Sequence, residues 1–458
     1  MSMFLESPGR LYMIRIAFSS WRAWLGLALI VYLFAVLLLR SRRPSIPVWG
    51  VMAFAAFLVV ITGLIGFDEI GGVIDMDVVL FLIGMFSIVG LAESSGLLNA
   101  ISMWVVARCG RLTALVYTLS LLFGILAAFV VNDTVALMGP SIVYSISRAA
   151  NIDPRPMFLL LAFSLTIGSV ATPIGNPQNV LIAIDSGIEA PFITFMKRLF
   201  IPTVVNLILT AFLLMKIFKI RDRRIEVILL PQEAIRNRGD AILAGIGLLT
   251  SIAALVINDV FELYGLPHIT HRGFIPFIVA AGLYILASSP RKMLAGVDWG
   301  TIVFFIAMFI AMEGIWRSGI LNPILNILIA QKIDGFKGIV VITIASLLLS
   351  QLLSNVPFVK LFINYMKNIG YTNSNVDAWL ALAMSSTIAG NLTILGAASN
   401  IIILEVLESR MGTTITFAEI FQNRQHSNNS QHNYIPTLFH NLDTAATSRG
   451  FSNKYRLT

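Results

Sequence analysis

The chain has one cysteine in 458 residues and only 12% charged residues, and both shortages restrict what it can be. A single thiol, Cys109, excludes an intrachain disulfide and any cysteine-cluster metal site. Soluble domains carry about 25% charged residues, so a share this low does not describe an ordinary water-solvated surface. The five histidines show no paired metal spacing: His268 and His271 share one loop, and the other three lie near the C-terminus. No Walker loop, nucleophile elbow or zinc signature is present, which leaves ATP-driven transport and intramembrane hydrolysis without recognisable residues. The net charge of +8 comes without an aromatic-studded basic module. It is read as Lys and Arg gathered in loops on one side of a membrane, and nucleic acid is not expected as a partner.

What the chain has in abundance is apolar sequence, 57% of all residues, with a mean hydropathy of +0.84. Runs such as Trp24 to Leu39, Val48 to Ile65, Val78 to Ala92 and Phe200 to Met215 approach the length of about 20 residues that crosses a bilayer core. The first run is followed by Arg40-Ser41-Arg42-Arg43 and lacks a small-residue cleavage pattern, so it reads as a retained span rather than a signal peptide. That arginine cluster belongs on the cytoplasmic side, which puts the acidic turn from Phe67 to Asp77 outside. Arg108 and Arg111, Arg148 and Arg155, and the basic loop from Lys216 to Asp240 then fall inside, with Asp185 and Glu189 outside. Arg10, Arg15 and Arg22 would lie outside on this scheme, against the rule.

Polar and helix-breaking residues interrupt this background in a patterned way. In hydrocarbon an unpaired peptide group costs several kcal/mol, so backbone leaves the helix only where it is buried in protein or lines a cavity. Asn132, Asp133 and Thr134 form one break, and Thr172, Pro173, Gly175, Asn176, Pro177 and Asn179 form another. The segment from Leu112 to Ser147 starts and ends beside arginines, so it is either two full spans or a re-entrant hairpin with its tip near Asn132. Asp133 is the sharpest candidate for ion or proton coupling, since a carboxylate at membrane depth is costly. Glu93 and Glu313, near span ends, read as solvated; Lys360 either snorkels or neutralises an anion.

The second half repeats the first. Asp75 to Asn99 lies on Asp298 to Asn322 at a constant offset of 223 residues, and Asn132 then falls on Asn355. At an offset of 221, Ala162 to Asn179 falls on Ala383 to Asn400, pairing Thr172 with Thr393, Gly175 with Gly396 and Asn179 with Asn400. Asp75 precedes its span on the outside whereas Asp298 follows Arg291 and Lys292 on the inside, so the repeat is inverted. Paired interruptions in inverted halves point to a secondary transporter with its site near the midplane.

At these residues the chain resembles the ion transporter superfamily, whose members include arsenite permeases, citrate transporters, divalent-anion/sodium symporters and a family of sodium/proton antiporters. VNDTVALMGPS and ATPIGNPQN resemble its first hairpin tip and broken-helix loop, and SNVPFV and LTILGAASN resemble the second set. The first pair leans toward the arsenite-permease and citrate-transporter-like branch. Val356-Pro357 and Ala397-Ala398 depart from the pattern and leave the second half with fewer side-chain oxygens.

The resemblance implies an all-α polytopic membrane protein of two inverted repeats with re-entrant hairpins and broken helices. The expected divisions are an N-terminal segment and first span (1–47), a first repeat (48–217), a cytoplasmic linker (218–240), a second repeat (241–421) and a polar tail (422–458). Substrate and ion are expected at Asn132, Asp133, Thr134, Thr172, Gly175, Asn176, Asn179, Ser354, Asn355, Thr393, Gly396 and Asn400. The expected activity is alternating-access transport of a small anion such as arsenite, a carboxylate or another inorganic anion, coupled to an ion gradient or to the membrane potential; no cofactor or metal is expected beyond Na⁺ or H⁺ as candidate coupling ion, with Na⁺ placed near Asn132 and Gly175. A sodium/proton antiporter using Asp133 is the alternative, and a passive channel the alternative of another class; an enzyme is not expected. The partners are the anion and the bilayer of a bacterial inner membrane, with homodimeric assembly left open. Ile193 to Phe200 matches Ile415 to Phe421, but only the first continues as a span. The polar tail is read as disordered, and as a frameshift product in preference to a regulatory segment.

Overall fold

A computed structural model describes residues 20–43, 46–150, 152–225, 230–391, 400 and 403. The described residues belong to one unit, Met1–Phe417. Thr393, Gly396 and the segment from 404 onward, including the tail, lie outside the described residues. Hydrocarbon demands that backbone groups be satisfied within the chain, and the described residues meet this with helices; an isolated Arg111–Arg224 bridge is the one β-type pairing among them.

In chain order the longer helices are α1 (Trp21–Arg42), α2 (Val48–Ile61), α3 (Met76–Ser94), α4 (Leu97–Val106), α5 (Leu112–Val130), α6 (Asn132–Ala149), α7 (Pro154–Gly168) and α8 (Pro177–Asp185). They continue as α9 (Pro191–Ile217), α10 (Arg238–Leu263), α11 (Phe274–Leu286) and α12 (Trp299–Arg317). The last are α13 (Leu321–Leu328), α14 (Gly335–Leu353), α15 (Asn355–Asn368) and α16 (Val376–Ile388). Among the described residues, six segments are long and apolar enough to cross a membrane: α3, α5, α7 with the turn after it, α9, α10 and α12. The protein is an all-α, multi-pass membrane protein.

Local sequence sets the starts of these helices. Asp75 caps α3 by accepting from the amides of Asp77 and Val78 at 3.0 and 3.2 Å, and Asp298 caps α12 through Thr301 N at 3.0 Å. Asp153 and Asn176 cap α7 and α8, each followed by a proline at the first helical position, where its missing N–H costs nothing. Unlike a soluble bundle, the outer helices keep large apolar side chains exposed, such as Ile201 and Val205 on α9 and Leu249 on α10. A bilayer covers such faces.

The order of elements recurs across the linker. α3 and α12 each have 19 residues, as do α5 and α14, and each of the latter is followed after a single residue by α6 or α15. α2 packs on α12 while α11 packs on α3, so each segment lies against the long helix of the other.

Of the basic segments that the sequence assigns to one side, the linker lies against the start of α5 at Arg111 and the end of α6 at Ala150. Asp222 in the linker accepts from Arg111 Nη1 at 3.1 Å and from Thr113 N at 3.2 Å, and Arg223 donates to Ala150 O at 2.8 Å. The linker thus clasps the start of α5 and the end of α6. Hydrogen bonding from Thr113, with Arg111 beside it, holds the Asp222 carboxyl below its ordinary pKa. At the opposite end, Asp77 accepts from Gly273 N, Arg272 pairs with Glu262, and Asp259 takes Ile193 N at 3.0 Å, tying α3, α9, α10 and α11 together.

Candidate functional site

Two one-residue turns define the site. Val131 joins α5 to α6 with φ 67°, and Ser354 joins α14 to α15 with φ 69°. Positive φ is costly for a side chain with a Cβ, most of all for β-branched valine, so both turns are conformations imposed by the surrounding packing. Asn132 and Asn355, the residues immediately after them, each keep a buried side-chain oxygen with no hydrogen-bond partner. Such an atom costs about 1–3 kcal/mol if nothing meets it, and both tips carry one, as do Asn322, Asn391 and Asn400 among the described residues. Asp133 and Thr134 follow in the first turn of α6, half-buried.

The broken helix between α7 and α8 stands beside the first tip. Its backbone runs through short 3₁₀ turns at Ser169–Ala171 and Pro173–Gly175, with Thr172 and Asn176 extended between and after them. The break therefore opens three residues earlier than Thr172, where the sequence placed it. Asn179 sits inside α8 because Asn176 Oδ1 caps its amide at 2.9 Å. Side chains replace the missing helical bonds: Thr172 Oγ1 accepts from Gly175 N at 3.1 Å, and Asn179 Nδ2 donates to the carbonyls of Ser169 and Thr172, both at 3.1 Å. Gly175 is required, since a Cβ there would lie 2.2 Å from Ser169 O.

Thr172 also donates to Ala128 O, three residues before the Val131 turn. The tip is therefore level with the break. α8 adds nine residues beyond it, about 13 Å at 1.5 Å per residue. α5 and α6 therefore turn back level with the break, short of the far end of α8.

The first break reaches across to α16. Asn176 Nδ2 and Gln178 Nε2 donate to Thr387 Oγ1 at 3.2 and 3.4 Å, and Thr387 lies 3.4 Å from Asn179 Oδ1. On the far side, Gln351 beside the second tip donates to Ala389 O at 2.9 Å. Polar contacts thus link Ala128, three residues before the first turn, through Thr172 and Asn179 to Thr387 on α16, while Gln351, three residues before the second turn, bonds Ala389 just beyond α16. Asn400 is buried, donates to Gly390 O at 2.8 Å and leaves its own oxygen unpartnered.

Thr387, Gln178, Ser169 and Gln351 were not among the residues the sequence singled out. The signal for Thr387 was its register with Thr166 in the repeat. Lys360 is not available to an anion in this arrangement, because its ammonium lies 2.6 Å from Asp185 Oδ2. Asp185 correspondingly faces protein, with its side chain 14% exposed. No group of three or more metal-ligating His, Cys, Asp or Glu side chains occurs among the described residues.

The sequence profile of a citrate transporter family matches residues 32–389. Among curated proteins, an uncharacterized transporter of Mycobacterium tuberculosis is 28% identical over 411 residues, covering 86% of this chain and 92% of that protein. A silicon efflux transporter of Oryza sativa subsp. japonica is 25% identical over 449 residues, covering 85% and 92%. A transporter named arsB of Dictyostelium discoideum is 30% identical over 170 residues, covering 37% of this chain and 30% of that protein.

Proposed function

The chain belongs to the citrate transporter family, and from that premise we propose that it is a secondary active transporter moving a small anion, such as arsenite or a carboxylate, by alternating access. The observation that carries the reading is the pair of hairpin tips whose asparagines each hold out a buried, unpartnered oxygen. The N-termini of α6, α8 and α15 begin at these tips and at the break. Their dipoles favour an anion, while amide and carbonyl oxygens suit a cation. Asn132, Asp133 and Thr134 with the Thr172–Asn179 loop form the first half of the site, and Ser354, Asn355, Thr387 and Asn400 the second. Asp133 supplies the charge for a coupling Na⁺ or H⁺. The two halves act as inverted repeats, with the basic linker on the cytoplasmic side of a bacterial inner membrane.

The test is Asn132→Ala and Asn355→Ala in purified protein reconstituted into proteoliposomes. Each is expected to lower counterflow of citrate or arsenite at least tenfold with expression and melting temperature retained. Wild-type flux in both variants would remove the tips from the site.

A further inference from the structure

The basic linker after α9 folds into a strip against the start of α5. Leu112 N donates to Arg223 O at 3.0 Å and Ile225 N to Gly110 O at 3.1 Å, which sets Arg111 and Arg224 opposite each other in an antiparallel bridge. Residues opposed in this way send their side chains to the same face, where like charges destabilise the pairing. Asp222, two residues before Arg224, shares that face, and its carboxylate meets Arg111 Nη1 at 3.1 Å. Among the described residues no carboxylate pairs with Arg224. The face is therefore one negative charge short. It is also open, since the Arg111 side chain stays 67% exposed even when paired, and Arg224 is exposed as well.

The strip lies at the rim of the membrane-crossing helices. α9 ends at Ile217 and α5 begins at Leu112, and both are long and apolar enough to cross a bilayer. Phe212, Leu213 and Ile217 keep apolar side chains exposed up to the last turn of α9, and the exposed Lys219 and Arg221 follow directly. Just before the strip, the Arg108 guanidinium stands 3.4 Å from the ring centre of the exposed Trp104 on α4. Tryptophan is enriched at the headgroup level of a bilayer, so Arg111 and Arg224 open where lipid phosphates lie. A guanidinium fork matches two phosphate oxygens in geometry as well as charge.

We propose that the strip formed by residues 110–113 and 222–225 binds the phosphodiester headgroup of an anionic phospholipid between Arg111 and Arg224, with Lys219 and Arg221 adding to the attraction. The phosphate supplies the charge that Asp222 leaves missing. The same strip ties the linker to α5 and, through Arg223 and Ala150 O, to α6. A bound lipid therefore holds the linker in place. This site is separate from the tips and does not depend on what the protein transports.

The test follows the purified full-length protein in an uncharged detergent as phosphatidylglycerol, or phosphatidylcholine with the same acyl chains, is added. Native mass spectrometry reads lipid affinity, and the unfolding midpoint reads its effect on the fold. Phosphatidylglycerol is expected to bind at least about tenfold tighter than phosphatidylcholine, since each basic residue at an anionic surface contributes about fivefold. It should also raise the midpoint, which inorganic phosphate should not. Arg224→Gln should weaken phosphatidylglycerol binding about fivefold, whereas Lys337→Gln, which removes an exposed cation from the first turn of α14, should not. Asp222→Asn should strengthen it, because the competing carboxylate is gone while an oxygen remains for Thr113 N. Equal affinity for the two lipids, the same rise in midpoint with inorganic phosphate, or an equal loss in Lys337→Gln and Arg224→Gln overturns the proposal. If Arg224→Gln does not fold, Asp222→Asn decides: phosphatidylglycerol affinity that stays or falls there overturns it too.

Discussion

Thr387→Val is the most informative single change, because it removes one hydroxyl and keeps the shape of the side chain. That hydroxyl accepts from Asn176 and Gln178 and lies 3.4 Å from Asn179 Oδ1. Asn176 retains Ser169 O and Oγ, both at 3.2 Å, and Asn179 Nδ2 retains two carbonyls. The groups left short are Gln178 Nε2 and Asn179 Oδ1, both in buried residues. Their lost contacts are long, so the cost is that of about one unsatisfied buried group, about 1–3 kcal/mol. Placed on the arrangement that binds substrate, this weakens apparent affinity about five- to hundredfold. The assay is the concentration dependence of counterflow, with Thr387→Ser as the control that restores the hydroxyl. An unaltered affinity and melting temperature in Thr387→Val would show that the contact between the first break and α16 carries no energy.

Three further outcomes are expected. Asp133→Asn should reduce cation-gradient-driven uptake much more than counterflow, because the charge and not the shape holds the ion; the same cation dependence as wild type would leave Asp133 structural. Gly168→Ala should lower thermal stability by about 1–3 kcal/mol, since its Cβ would stand 2.2 Å from Gly124 O and force α5 from α7; an unshifted unfolding midpoint contradicts that packing. Glu233→Cys in a Cys109→Ser background should be labelled by an impermeant thiol reagent only from the cytoplasmic side. This exposed position is preferable to Asn237, which caps α10 and bonds Ser288 at 3.0 Å; labelling from outside would invert the topology.

Much of the fold was legible because a membrane makes irregular backbone expensive. Asn132 and the Thr172–Asn179 loop stood out for that reason, whereas the caps at Asp153 and Asn176 emerged from the structure. The early opening of the break at Ser169 carried no such mark, since Ser169–Ala171 holds neither proline nor glycine. Thr387 was hidden because an isolated threonine in an apolar helix ordinarily bonds its own preceding turn. Its register partner Thr166 does so, donating to Ala162 O at 3.1 Å. The pairing of Lys360 with Asp185 joins positions 175 residues apart, and such a contact leaves no local pattern. Thr393 and Gly396 lie outside the described residues, so the second break rests on Thr387, Ala389 and Asn400.

The central claim is coupled transport of a small anion, and counterflow in proteoliposomes tests it most directly. Vesicles preloaded with unlabelled arsenite, citrate, succinate or sulfate would be diluted into trace labelled ligand, with and without a Na⁺ or pH gradient. The account predicts transient accumulation of at least one of these that saturates, speeds up with a cation gradient, and loses the gradient-driven part when an ionophore is added. No accumulation of any of the four, or a flux that neither saturates nor responds to the gradient, as through a passive channel, would contradict it.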